Sequence, residues 1–173
     1  MTVSIPKASE LSDYYKTYLK YVNDGDDLLE NLKRQRDETI QFLSGIPDAK
    51  ASRAYAPGKW QLKEVVGHVC DTERIMCYRA LRIARKDQTP IEGFDENLYT
   101  PASNYSVRSI KNIADELITV RNASISLVEN FSPEMIDLKG IANNNEISVR
   151  ALIFMIYVHQ QHHMMVIKER YLS

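Results

Sequence analysis

The sequence contains few of the residues that mark disulfide-rich, turn-rich or strongly charged proteins. Of its 173 residues only two are cysteines, six are glycines and six are prolines. So few cysteines exclude a disulfide-stapled scaffold, and so few glycines and prolines favour helices over a turn-rich β-sandwich. The 22 basic and 23 acidic residues leave a net charge of −1, so we expect no basic surface for a nucleic acid.

Long hydrophobic runs are also missing. The longest, residues 151–158, is far shorter than the ~20 residues that a membrane-spanning helix needs. The N-terminus lacks the basic start and apolar segment of a secretory signal. We therefore expect a cytoplasmic protein with no membrane partner. Cys70 and Cys77 would then be reduced thiols, and seven helical residues would place their Cα atoms roughly 10 Å apart, beyond disulfide reach.

The apolar periodicity predicts an all-α fold, a four-helix bundle forming a single domain over residues 1–173. The four main helices are predicted at about residues 26–43, 60–86, 110–131 and 148–171. The third is the clearest, because Ile110, Ile113, Leu117 and Val120 recur at steps of three and four. No strand is predicted between the helices, and the polar run 139–146 is expected to be a loop.

The remaining segments connect or precede these helices. A short Tyr-rich helix is predicted over residues 11–22, and residues 1–10 are expected to form a loose tail. Ser132-Pro133 has the pattern of an N-cap followed by proline at the first helical position, and Ser148 is expected to cap the last helix. The long connection 87–105 is expected to cross over the bundle between the second and third main helices or to carry function.

Histidine is scarce but clustered, since three of the four histidines lie at positions 159, 162 and 163. On a helical wheel His159 and His163 replace aliphatic residues on the core-facing stripe of the last helix, and His162 lies at its edge. His68 lies on the second main helix, on the face opposite Cys70 and Cys77, which disfavours a Cys/His site. If the two histidine faces meet, three imidazoles converge, which is the ligand number of a catalytic metal site with an open position.

Ordinary core histidines are the alternative, each hydrogen-bonded to a carbonyl or carboxylate. Burying two or three imidazoles unpaired costs several kcal/mol, and a shared cation removes that cost. Glu64 and Asp71, within about a turn of His68, are candidates for orienting that ligand or accepting a proton. Asp95 and Glu96 lie in the long connection, which is a candidate for capping the site. Their alternative is solvated surface carboxylates, so no general base or other catalytic residue is assigned.

Several motifs carry a resemblance to a known family. They are the run 56–68 (APGKWQLKEVVGH), Asp71-Thr72-Glu73-Arg74, Gly93-Phe94-Asp95-Glu96 and the terminal His159-Gln160-Gln161-His162-His163. Together they resemble the DinB/YfiT-like family from about residue 10 to the end of the chain. The resemblance implies a four-helix bundle that holds a divalent metal, often nickel or zinc. At the matching positions its ligands are His68, His159 and His163. The resemblance also implies a homodimer.

Two classes of function remain open. The first is a metal-dependent enzyme, either a hydrolase or a transferase that joins a low-molecular-weight thiol to an electrophile, as the resemblance implies for some members. Both would use the open positions of the three-histidine site on a small-molecule substrate. The alternative is a non-catalytic, metal-stabilised helical interaction module. A closed four-ligand shell without a pocket would favour the module, and an open position facing a cleft would favour the enzyme.

Overall fold

A computed structural model describes residues 1–173. In chain order its elements are α1 (Asp13–Lys16), α2 (Leu28–Ser44), α3 (Asp48–Ala51), α4 (Leu62–Ala84), α5 (Glu96–Ala102), α6 (Ile110–Glu129), α7 (Pro133–Ile136), β1 (Lys139–Ala142), β2 (Asn145–Ser148) and α8 (Val149–Val166). Short 3₁₀ turns lie at 8–10, 19–21 and 105–107, and α8 continues into a π-helical turn, Ile167–Tyr171. The four long helices α2, α4, α6 and α8 form the predicted bundle. None of the helices combines the length and the apolar character needed to cross a membrane.

The helices begin where side chains satisfy their first free N–H groups. Ser148 Oγ accepts a hydrogen bond from the Ala151 amide at 3.1 Å, as predicted for the last helix. Ser132 caps α7, with Pro133 at its first position. α4 begins after Gln61, whose backbone amide donates to a Glu64 carboxylate oxygen at 2.7 Å in a capping box.

The long connection between α4 and α6 is a crossover. Glu73 pairs with Arg121, and one turn further along both helices Cys77 contacts Ser124. The two helices therefore run in the same direction, and the chain between them must return along the length of the bundle. The predicted crossover is confirmed. It contains α5, and it is tied to the hairpin at Ile91, whose amide donates to the Ile141 carbonyl.

Residues 139–148 form a β-hairpin, so the prediction of a loop without strands was wrong here. β1 and β2 pair antiparallel, with Lys139 opposite Ser148 and Ala142 opposite Asn145. The two turn residues, Asn143 and Asn144, have φ angles of 49° and 60°. A two-residue hairpin turn of type I′ needs this left-handed backbone at both positions, and asparagine tolerates it.

The N-terminal residues are held against α2, which corrects the prediction of a loose tail over residues 1–10. Val3 is fully buried in the core. Its amide donates to Asp27 Oδ1 at 3.0 Å, and its carbonyl accepts from the Leu28 amide at 2.8 Å. Asp27 thus caps α2 and fixes the N-terminal segment with the same carboxylate oxygen, because that oxygen also accepts from the Leu29 amide.

A polar layer crosses the middle of the apolar core and joins all four long helices. Arg121 of α6 is 1% exposed and donates from Nε and Nη2 to the two carboxylate oxygens of Glu73 on α4, at 2.8 and 2.9 Å. Its Nη1 donates to Gln35 of α2, and its Nη2 donates to Gln160 of α8, each at 2.7 Å. Gln160 in turn donates to Thr39 of α2 at 2.6 Å.

The start of α4 packs closely against the crossover at one glycine. A Cβ atom on Gly67 would lie 2.2–2.6 Å from three ring atoms of Tyr105. The Tyr105 ring is buried, and its hydroxyl donates to Asp71 Oδ1 at 2.9 Å. Only glycine permits this approach, which lets the crossover lie against the helix that carries His68.

Arg121→Met should destabilise the fold strongly because it leaves Glu73 buried without its partner. We expect a loss of about 3–5 kcal/mol in the free energy of unfolding, measured with urea. Lys111→Met, which removes an exposed ion pair to Asp115 on the same helix, should cost less than about 1 kcal/mol. Similar losses for the two variants would show that the polar layer does not hold the bundle together.

Gly67→Ala should also destabilise the protein, by about 1–3 kcal/mol, because the buried Tyr105 ring would have to move away from the new methyl group. Gly45→Ala is the matched control, since its Cβ would meet only the Phe42 carbonyl oxygen at 3.7 Å. Thermal unfolding of both variants measures the difference. A Gly67→Ala protein as stable as Gly45→Ala would contradict the close packing of Tyr105 on α4.

Candidate metal centre

Three histidine side chains converge between α4 and α8. His68 Nε2 lies 3.2 Å from His159 Nε2, and His163 Nε2 lies 3.1 Å from the same atom. One nitrogen of each ring lies within 4.8 Å of the other two. His159 and His163 are one helical turn apart, and His68 approaches them from the facing helix. The structure therefore brings together the three histidines that the sequence selects.

These contacts fit a cation better than hydrogen bonds among the rings. A neutral imidazole nitrogen carries either a proton or one lone pair, so His159 Nε2 cannot donate to one neighbour and accept from the other. A shared ion would take a lone pair from each ring. Around a tetrahedral ion with nitrogen ligands at about 2.0–2.1 Å, the nitrogens lie about 3.3 Å apart, close to the two distances observed. His163 Nδ1 is buried without a partner, so Nε2 makes all of the polar contacts of that ring.

Burial keeps the three rings neutral. It lowers the pKa of His68 to about 4, with Glu96 opposing part of the shift. It lowers the pKa of His163 to about 3, and the nearby His68 and His162 add to the effect. Burial and the neighbouring histidines also hold the pKa of His159 well below its usual value. At neutral pH all three rings are in the form that binds metals.

A cavity of about 360 Å³ opens beside the cluster. His163 and His162 form one wall, and Trp60 and Asn97 contribute to the others. The Trp60 ring lies 5.1 Å from the His68 ring, centroid to centroid. Lys59, Tyr55 and Tyr171 also line the cavity. No fourth histidine, cysteine or carboxylate joins the three clustered donors.

α5 brings the crossover to this cavity. Asp95 caps the helix by accepting a hydrogen bond from the Asn97 amide at 2.8 Å. The cap positions Asn97 in the cavity wall and places Glu96 close enough to raise the pKa of His68. Asp95 itself thus has a structural partner. Asn97 was missed from the sequence, because its position in the wall depends on how the crossover folds back.

The two carboxylates suggested for orienting His68 or accepting a proton, Glu64 and Asp71, have other partners. Glu64 belongs to the capping box at the start of α4. Asp71 accepts the hydrogen bond of the Tyr105 hydroxyl, and burial raises its pKa. Neither is hydrogen-bonded to His68, so the structure does not support a role for them in orienting this ring.

His162 lies outside the cluster but lines the same cavity. Its Nδ1 is 2.9 Å from the Tyr21 hydroxyl, and its ring meets Tyr18 edge-on at 5.6 Å between centroids. The Tyr-rich segment expected as one helix consists of α1 and a 3₁₀ turn, and it packs against α8 here. The sequence predicted a Tyr-rich segment here, but not its contact with His162.

The two cysteines stay away from the cluster, as expected from their opposite face on α4. Cys70 is buried in the apolar core. The Cys77 thiol donates to Ser124 Oγ at 3.1 Å, and burial raises the pKa of Cys77 to about 11. Both thiols are therefore protonated at neutral pH and are poor metal ligands.

Comparisons with known proteins agree with this architecture. A protein of Oceanobacillus iheyensis named "putative metal-dependent hydrolase" is 28% identical over 145 residues, which cover 81% of this chain and 79% of that protein. The structure of YfiT from Bacillus subtilis, titled "a probable metal-dependent hydrolase with an unusual four-helix bundle topology", matches with a TM-score of 0.73 and 14% identity. The match covers 96% of this chain and 91% of that one.

A further structure shares the bundle. The mycothiol-dependent maleylpyruvate isomerase matches with a TM-score of 0.65 and 12% identity, over 79% of this chain and 58% of that one. At such identities the two structures show a common fold alone. The family model of the DinB superfamily matches residues 31–167, which include all three clustered histidines and most of the bundle. The chain belongs to the DinB superfamily.

Proposed function

We propose that His68, His159 and His163 hold one divalent metal ion and that the protein is a metal-dependent hydrolase of small molecules. The observation that carries the proposal is the convergence of the Nε2 atoms of three neutral imidazole rings beside an open cavity. Three protein ligands with room for a further one are typical of catalytic rather than structural sites. The name of the Oceanobacillus relative supports the choice of hydrolysis.

When bound, such an ion supplies Lewis-acid chemistry and lowers the pKa of a water molecule or a thiol. The chain's own residues shape the space around it. Trp60 packs against His68 and forms an apolar wall that limits the access of bulk water. Asn97 offers an amide for hydrogen bonds to a polar substrate. Tyr21 fixes the orientation of His162 at the cavity wall through Nδ1, which leaves Nε2 free to bond to a substrate oxygen.

Thiol transfer is the second candidate. The same open site would activate a low-molecular-weight thiol for attack on an electrophile. The bundle shared with a mycothiol-dependent isomerase supports this alternative through the fold alone. A cavity of about 360 Å³ is large enough for a small substrate, and it argues against a purely structural metal in an interaction module.

The identity of the ion, the homodimer and the location stay proposals. Nickel and zinc are the ions that the family resemblance implies, and three imidazoles accept both. The resemblance also implies a homodimer, and a cytoplasmic location remains our expectation from the sequence. Elemental analysis and light scattering of the purified protein address the ion and the dimer.

His68→Ala should remove most of the bound metal because it deletes one of three ligands. His162→Ala should leave most of it, since that ring lies outside the cluster. We expect about one ion per chain in the unmodified protein, measured by elemental analysis after purification without a polyhistidine tag. Circular dichroism of each variant establishes that the bundle is intact. Equal metal loss in the two variants would overturn the ligand assignment.

The metal-loaded protein should hydrolyse activated esters or amides without any added thiol. Chelation should abolish the activity, and restoring the native metal should recover it. His163→Ala should lower kcat/KM by at least about 100-fold, since it removes a ligand of the ion. Turnover that requires a thiol such as glutathione or cysteine with a chloronitrobenzene would instead establish the transferase. Fully loaded protein without turnover in either assay would favour the interaction module.

A further inference from the structure

Two arginines are buried in this bundle, and only one has an ionic partner. Arg121 and Arg79 are 1% and 4% exposed. Arg121 donates hydrogen bonds to Glu73, which neutralises its charge, and to two glutamines. Arg79, on α4, donates from Nη2 to the Glu92 carbonyl at 3.0 Å, and its Nε is buried with no partner. No carboxylate forms an ion pair with Arg79.

This arrangement is costly unless an anion completes it. A guanidinium stays protonated in proteins, and a charge removed from water is destabilising unless it is paired. Burial lowers the pKa of Arg79, and the nearby Tyr15 offsets only part of that effect. The side chain thus presents an unneutralised positive charge within the fold.

Arg79 lines a cavity of about 320 Å³ that is separate from the one at the metal centre. Its polar and aromatic walls come from the N-terminal segment and the hairpin: Ser12, Tyr14, Tyr15, Asn143 and Asn145. The two cavities share no lining residue. Arg79 is eleven residues along α4 from His68, which corresponds to about 16 Å of helix.

We propose that this cavity binds the carboxylate of a small organic acid at Arg79. A carboxylate pairs with a guanidinium through two parallel hydrogen bonds, and Tyr14 and Tyr15 would contact the body of the molecule. Glu10 and Glu146 also line the cavity, but Glu146 pairs with Lys139 and Glu10 accepts from the Lys7 amide. They therefore weaken the attraction of Arg79 for one negative charge and repel a second charge more strongly. The site therefore selects a monocarboxylate over a phosphate dianion, and its volume suits a small molecule.

Titration of the zinc-loaded, ¹⁵N-labelled protein with benzoate tests this site. Benzoate should shift the Arg79 Nε–H signal and the Ser12 and Asn145 amide signals along one saturable curve. Benzamide, which has the same shape and no charge, should not shift them, and inorganic phosphate should bind at least tenfold more weakly than benzoate. The Trp60 indole signal reports on the metal cavity and should stay in place.

Variants of Arg79 separate binding from folding. Arg79→Met should abolish the benzoate shifts. Its thermal midpoint should fall less than that of Arg121→Met, because Arg79 has no ionic partner to lose. Arg79→Lys, which keeps the charge but not the two parallel bonds, should bind at least threefold more weakly. Arg85→Met, a change at the exposed residue that follows the last residue of α4, should bind benzoate normally.

Three results would overturn the proposal. The first is a set of benzoate shifts confined to Trp60 and the metal cavity, or no shifts at all. The second is an affinity for benzoate that is unchanged in Arg79→Lys or in a folded Arg79→Met protein. The third is equal binding of benzamide and benzoate, which would show that the charge of Arg79 plays no part.

Discussion

The register of the four helices depends on one buried ion pair. Arg121 and Glu73 lie in the apolar centre of the bundle, and glutamines from α2 and α8 complete their hydrogen bonds. Because an unpaired charge there is expensive, the helices have little freedom to slide past one another. Gln160, which accepts a hydrogen bond from Arg121, follows His159 in sequence. The same polar layer therefore fixes the axial position of α8 relative to α4. The convergence of the three histidines follows from that register.

The centre of the fold was predictable because its signals are local. The spacing of apolar residues predicted the long helices, and the helical wheel selected His68, His159 and His163 because periodicity alone decides which side chains share a face. The length of residues 87–105 predicted a crossover. The hairpin was missed because a four-residue strand of mixed polarity has almost no periodic signal, and its turn uses Asn-Asn rather than a glycine pair.

The polar interior was hidden from the sequence. Arginine and glutamate normally lie at the surface, yet Arg121, Glu73 and Arg79 are buried. The burial of Arg121 and Glu73 depends on their pairing across 48 residues of sequence, and that of Arg79 depends on the folded N-terminal segment. The partners of Glu64 and Asp71 could not be predicted for the same reason, since a helical wheel gives the direction of a side chain and not the group nearest to it. Val3 was also missed, because a single apolar residue in a short tail carries no pattern.

The two buried arginines have opposite consequences in one fold. Arg121 is fully paired and sets the structure, whereas Arg79 is left with a charge that the protein does not neutralise. The three clustered histidines also differ from ordinary core residues. Their Nε2 atoms face one another, and hydrogen bonds among the rings cannot satisfy all three. In both places the fold holds polar groups in an arrangement that a ligand would complete.

X-ray absorption at the metal edge of the untagged, purified protein tests the central claim most directly. Three imidazole nitrogens at about 2.0–2.1 Å, with at least one further light ligand and no sulfur, are the predicted result. A spectrum with sulfur scattering from Cys70 or Cys77, or one without imidazole scattering, would contradict the assignment of His68, His159 and His163.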